Sequence, residues 1–166
     1  MKEVIILFIA LALFNSALFA DVMNTPKYKA MDRYCKQVGV SNVMKELAHN
    51  VNTMITNNGG PMQIDAASYL QSASFANFNG KYLIISTRVD MVVMAKIMKY
   101  PEKKVISFFQ TKVGHDVFLE DDSNIACSRP EHRVILENAG IIRHEYYTLD
   151  GVFLQRTDVS NDSCRN

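Results

Sequence analysis

The 166-residue chain has no excess of charge of either sign: 18 basic residues stand against 17 acidic ones, for a formal net charge of +1. Such a balance argues against a nucleic-acid partner or an anionic surface, which attract a strongly basic face. The densest basic cluster, Lys96, Lys99, Lys103 and Lys104 around "YPEKK", lacks the aromatic interleaving of a single-strand binder and reads as a solvated face. Repeats of solenoid length and low-complexity tracts are missing too, which excludes a repeat array and gives no internal linker. Compact catalytic signatures are likewise absent: there is no HExxH, no GxSxG elbow and no glycine-rich phosphate loop after a strand. Cysteine is scarce and odd in number, with three residues. One thiol must therefore remain over if a single disulfide forms.

A long hydrophobic run occurs at the N-terminus. Lys2 precedes an apolar stretch from Val4 to Phe14, followed by Asn15, Ser16 and "ALFA" before Asp21, the three-part plan of a secretory signal peptide. The run is short for a membrane span. The expectation is a signal peptide over 1–20, cleaved after Ala20, and a single domain over 21–166, long enough to bury a core without staples. Cleavage removes one basic and one acidic residue, Lys2 and Glu3, so the net charge is unchanged. The expected location is periplasmic or secreted, with no stable membrane insertion after cleavage.

Export sets the redox context for the cysteines, because disulfides persist in oxidising compartments. Three pairings are open. Cys127 and Cys164 bracket a compact C-terminal unit, whereas Cys35 lies apart in an N-terminal segment, so the expected pair is Cys127 with Cys164 and the expected free thiol is Cys35. Arg33 and Lys36 flank Cys35, but no histidine is near to act as its base, and an inert thiol is expected.

Periodicity supplies the elements. Val43, Leu47, Val51, Met54 and Ile55 recur at helical steps between a cap at Ser41 or Asn42 and the stop "NNGG", and a shorter helix is expected over 27–37 after Pro26. Strands are expected over 70–76 and 81–89, joined at "NFNG", with Leu83, Ile85, Thr87 and Val89 toward the core. Asp90 caps a short helix through "MVVMAKIMKY"; a second helix begins near Pro101 with Val105, Phe109, Val113 and Val117 as its stripe, with a strand through the β-rich "VISFFQTKV" as the alternative, and "EDDSN" ends the pattern before Cys127. Ser128 and Glu131 fit a capping box for a short helix stopped by "NAG", and "IIRHEYYTLDGVFLQRTDVS" reads as a hairpin turning at Asp150 and Gly151. The sum is an α+β domain: an antiparallel sheet of about four strands made of two hairpins, covered by helices, in the order α, α, β, β, α, α, β, β.

The residues that could carry chemistry are scattered. His49, His115, His132 and His144 form no pair at zinc spacing, so no metal site and no cofactor are expected. In a strand His144 and Glu145 face opposite ways, while His144 shares a face with Tyr146 and would pair across strands with Gln155, Arg156 or Thr157. Glu120, Asp121 and Asp122 lack the ligand spacing of a calcium loop and read as a solvated turn. Arg129, His132 and Arg133 could meet an anion at the short helix's N-terminus; the alternative makes Arg133 a structural partner of Asp158 or Asp162. The candidate surface site is Arg129, His132, Arg133, His144 and Tyr146, and no residue is assigned as catalytic.

A signal peptide, a helix through "NVNTMI", the stretch "PMQIDAASYLQSASF", the strand "GKYLIISTRVD" and the end "CSRPEHRVILENAGIIRHEYYTLDGVFLQRTDVSNDSC" together resemble a group of small exported bacterial proteins of unassigned activity. Some of these are similar to the quorum-sensing-regulated virulence factor family. The matching positions are Cys127, Pro130, Arg133, Leu136, Gly140, Tyr146 or Tyr147, Asp150, Gly151 and Cys164; the "YPEKK" break departs from the pattern. The resemblance implies export, a disulfide and an α+β fold, and brings no catalytic residues. Three function classes remain: a non-enzymatic exported interaction or accessory factor of the envelope with an unidentified protein partner, a carrier of a small apolar ligand lined by methionines, and an enzyme with a site around His132, His144 and Tyr146.

Overall fold

The computed structural model describes residues 22–164; the expected signal peptide lies outside the described residues. A 3-10 turn at Val22–Asn24 leads into α1 (Pro26–Val38), whose N-cap Thr25 accepts a hydrogen bond from the Tyr28 amide. Gly39, with φ of 83°, separates it from α2 (Val40–Asn57). A backbone turn at this glycine, instead of a cap at Ser41 or Asn42, therefore starts the second helix. Three strands follow: β1 (Met62–Gln63), β2 (Ser68–Asn77) and β3 (Lys81–Val89). Next come α3 (Met91–Met98), α4 (Glu102–Phe109), α5 (Lys112–Ser128) and α6 (Pro130–Glu137), then the hairpin of β4 (Gly140–Thr148) and β5 (Phe153–Val159) and a last 3-10 turn at Asn161–Cys164.

The strands form one sheet in the order β1-β2-β3-β4-β5. Both expected hairpins are present, and β1 adds a short fifth strand against β2. The sheet is mixed: β3 and β4 pair in parallel, in unbroken register from Lys81 against Gly140 to Val89 against Thr148. Parallel neighbours require a long crossover, and the four helices α3 to α6 supply it.

Helices cover one face of this sheet. Ala73, Leu83, Ile142 and Val159 pack with Val43, Met44, Ala48, Ala126, Val134, Ile135 and Leu136 into one part of the core. A second part gathers Val89, Tyr146 and Leu154 with Met91, Met98, Val105 and Phe109. Leu83, Thr87 and Val89 are buried and Ile85 packs against the first cluster, as the strand alternation predicts. The Asn52 amide of α2 adds a polar fastening, donating to the Ala73 carbonyl at 2.8 Å and accepting from its N–H at 2.9 Å.

The middle of the chain departs from expectation in three ways. The helix expected from Pro101 through Val117 is two helices, because Thr111 caps a new one by accepting from the Gly114 N–H at 3.0 Å. The bend turns Val113 outward, 59% exposed, and brings Gly114 so near α4 that a Cβ there would lie 2.0 Å from the Phe108 carbonyl oxygen. Next, "EDDSN" is no break. It lies within α5, where Gly114, Phe118, Asp122 and Ala126 follow four-residue steps and Asp122 faces inward. Finally, the capping box at Ser128 does not form: Arg129 is the N-cap residue of α6, and the Ser128 hydroxyl donates to the Ile125 carbonyl.

Cys127 and Cys164 form the disulfide, across 37 residues, tying the end of α5 to the turn after β5. Cys35 is the free thiol and is buried; burial, then the nearby Asp32, raises its pKa. No described helix is long and apolar enough to cross a membrane.

Candidate functional site

Asp122 is the centre of a buried polar cluster beneath α5. Its Oδ1 accepts a 2.6 Å hydrogen bond from the Tyr146 hydroxyl, and its Oδ2 accepts one from the Thr157 hydroxyl. His144 Nδ1 lies 3.5 Å from the same Oδ1. One helix and the two strands β4 and β5 are thus joined through a single carboxyl. The register explains the convergence: His144 stands opposite Thr157 and Tyr146 opposite Gln155, so one face of the hairpin presents all four side chains to α5.

His132, from α6, adds a second imidazole. Among the described residues, His132 Nδ1 and His144 Nε2 are buried without a hydrogen-bond partner. Burial, reinforced by His144 and Arg129, lowers the His132 pKa to about 3. Burial lowers that of His144 as well, with Arg129 adding to the effect and Asp122 opposing it. Tyr146 is pushed well above the ordinary phenol range, by burial and then by Asp122. Both imidazoles are therefore neutral at pH 7 and the phenol keeps its proton. The set contains acid–base groups, yet Asp122 is 1% exposed and its two oxygens are engaged by internal hydroxyls. It fastens the sheet to the helix layer.

The five residues of the expected surface site therefore divide. His132, His144 and Tyr146 are buried, whereas Arg129 is exposed at the start of α6. Arg133 meets Glu137 at 2.5 Å, one turn along the same helix, and this pair replaces the expected one with Asp158 or Asp162. Asp158 is held by Arg143, whose Nε and second guanidinium nitrogen donate to its two oxygens at 2.7 and 2.8 Å. The Arg143 guanidinium also covers the Tyr82 ring at 4.4 Å, and Phe78 stacks on Tyr82 at 4.7 Å. This aromatic and cationic stack is on the sheet face away from the helices, and no cysteine or glycine signal announced it. The separate His115 lies at the surface beside Asp116, 3.5 Å away. No group of three or more His, Cys, Asp or Glu side chains among the described residues could hold a metal.

Two surface grooves stand out. One, of about 320 Å³, runs between α1 and α2 past Met31, Tyr34, Val43 and Leu47. The other, of about 560 Å³, lies between β5 and the α4–α5 bend, with Phe109, Thr111 and His115 on one side and Phe153, Leu154, Gln155 and Arg156 on the other. Met44, Met91 and Met98 fill core and line neither groove.

No protein-family model matches the chain, and no curated protein matches it. Among solved structures, the chain is similar to a candidate secreted protein of Pseudomonas aeruginosa (17% identity, TM-score 0.48, covering 72% of this chain and 94% of that one). It is also similar to the pilotin of the type 2 secretion system of Vibrio vulnificus (11%, 0.48, 76% and 96%). A third is the type II secretion system pilotin of Vibrio cholerae (13%, 0.45, 77% and 98%). TM-scores below 0.5 at such identities transfer neither partner nor role.

Proposed function

We propose that this chain is an exported, non-enzymatic interaction or accessory factor of the bacterial envelope, acting by binding another protein. One observation carries the reading: the acid–base groups expected to form a site, His132, His144 and Tyr146, are sealed under helices together with Asp122, which is bonded to Tyr146 and Thr157. The accessible grooves, by contrast, are lined mainly by apolar and neutral polar side chains. Catalysis needs its proton-transfer groups within reach of substrate, whereas association needs accessible area and unpaired polar edges. The Cys127–Cys164 bond suits an oxidising compartment, and the resemblance of the C-terminal segment to small exported bacterial proteins supports the same location.

The test is crosslinking of the tagged chain in a bacterial host, with separate recovery from envelope and culture medium, for the native protein and for Tyr146→Phe. A protein captured in fixed stoichiometry by both versions is the expected result. Recovery of monomer alone at every crosslinker dose, or a turnover activity that Tyr146→Phe abolishes, would sink the reading.

A further inference from the structure

β5 ends the strand order, so its outer edge has no strand partner among the described residues. Such an edge carries unpaired backbone N–H and C=O groups and is a template for a further strand unless something blunts it. Two exposed side chains flank the middle of this edge, Arg156 and Asp158, two residues apart on the open face of the sheet and opposite in sign. Thr157 lies between them and turns to the helix layer, where its hydroxyl meets Asp122.

These charges belong to a pattern. Across the β4–β5 ladder Arg156 stands opposite Glu145 and Asp158 opposite Arg143, the second pair closing at 2.7 and 2.8 Å. The open face of the hairpin thus carries two rows of alternating sign, Glu145 then Arg156, and Arg143 then Asp158. A third strand that continues both rows brings a carboxylate beside Arg156 and, two residues along, a cation beside Asp158. Reversed, β5 itself has that sequence. With a two-fold axis at Thr157, the partner's Asp158 falls opposite Arg156 and the partner's Arg156 opposite Asp158. Moving the axis to Arg156 or to Asp158 instead sets like charges against each other, which destabilises a strand pair.

We propose that this edge receives a second copy of the chain, the two β5 strands pairing antiparallel about Thr157 so that one sheet runs through both copies. The charged edge then blunts mismatched registers while admitting this one. The helix layers fit the same arrangement. Asp122 bonds both Tyr146 on β4 and Thr157 on β5, so α5 stands over the gap between these strands. The two-fold axis keeps both α5 helices on one side of the joined sheet, two strand spacings apart, about 9.6 Å. Packed helices lie about 8–10 Å apart, so the two α5 helices meet without forcing the strands apart. In this register residues 153–156, which line the larger groove, stand opposite 158–161 of the second copy, and the end of its β5 and the turn that follows enter that groove. The proposal does not rest on the interaction-factor reading above: self-association and capture of another protein are separate outcomes.

The test is sedimentation equilibrium of the oxidised exported chain over a range of concentrations, with hydrogen exchange of its backbone amides measured on the same samples. The expected result is a monomer–dimer equilibrium in which exchange at 156 and 158 slows as concentration rises. Arg156→Glu places like charges opposite each other twice per dimer and should raise the dissociation constant about tenfold or more. Asp158→Lys should weaken the dimer similarly. Mixing the two variants restores opposite signs at both contacts, so the mixture should form a heterodimer within about threefold of the native affinity.

A monomer at the highest soluble concentration would overturn the proposal. So would a dimer indifferent to Arg156→Glu, or two folded variants whose mixture stays monomeric. If Asp158→Lys fails to fold because Arg143 loses its partner, the native chain decides: protection that grows with concentration in α1 and α2, and not at 156 and 158, would place the contact elsewhere and sink the proposal. A partner protein captured by the monomer would leave the interaction reading intact.

Discussion

The Tyr146 hydroxyl donates a 2.6 Å hydrogen bond to Asp122 Oδ1, joining the middle of β4 to the middle of α5 across 24 residues of chain. Thr157 completes the arrangement from the neighbouring strand, so one buried carboxyl satisfies two hydroxyl donors that would otherwise face the helix layer unpaired. Asp122→Ala should therefore cost about 3 kcal/mol, because two buried donors lose their acceptor, and Tyr146→Phe about 1–2 kcal/mol, because Thr157 still holds the carboxyl. Urea denaturation measures both. Equal and small losses for the two variants would show that the cluster does not fasten these elements.

Acid should weaken the fold before the surface carboxylates protonate. The folded pKa of His132 is depressed from 6.5 to about 3, and that of His144 is depressed as well, so the unfolded chain binds more protons in that interval. Stability is then full above about pH 6.5 and falls as pH drops toward 3, with a slope approaching 1.4 kcal/mol per pH unit from His132, and His144 adds a loss of the same sign. His132→Leu should flatten part of that slope. Denaturation midpoints that hold constant between pH 7 and pH 5 would contradict the assignment of neutral buried imidazoles.

Reduction should act through one bond. Cys164→Ser is expected to lose about 4 kcal/mol under oxidising conditions and to match the native chain under reductant, since the disulfide closes a 37-residue separation. Cys35→Ser should keep the disulfide and cost about 1 kcal/mol in either condition, because the hydroxyl replaces a thiol packed in the core. Thiol mapping and thermal melts distinguish the two, and a native disulfide lost in Cys35→Ser would reverse the pairing.

Gly114→Ala tests the bend between α4 and α5. Its new Cβ would meet the Phe108 carbonyl oxygen at 2.0 Å, so one of the two helices must shift, at a cost of about 1–3 kcal/mol. An unchanged melting temperature would mean that the bend adjusts freely.

Much of the layout was legible locally. Asp90 caps α3 as its position before an apolar run suggests, the two hairpins close at "NFNG" and at Asp150 and Gly151 as read, and the bracketing by Cys127 and Cys164 marks the covalent closure. The face shared by His144 and Tyr146 also follows from strand alternation. Asp122 was not legible: in "EDDSN" three successive polar groups imitate a solvated turn, and the four-residue spacing from Phe118 to Ala126 becomes informative when the hydroxyls facing it are known. Leu154 escaped for a similar reason: the register shift beyond Tyr146 adds it to a run in which Gln155, Thr157 and Val159 already alternate inward.

The sequence by itself determined the α+β combination, most of the helices and the two hairpins, because capping, periodicity and turn formation act between residues a few positions apart, and it left three cysteine pairings open. Tertiary structure alone decided that β3 and β4 run parallel and that the expected surface histidines are buried. It also decided that, among the described residues, the outer edge of β5 beside the α4–α5 bend has no strand partner. Those outcomes depend on which apolar faces cover one another across tens of residues. Many chain registers satisfy the same local pattern, and the packing of the described helices on one sheet face selects among them.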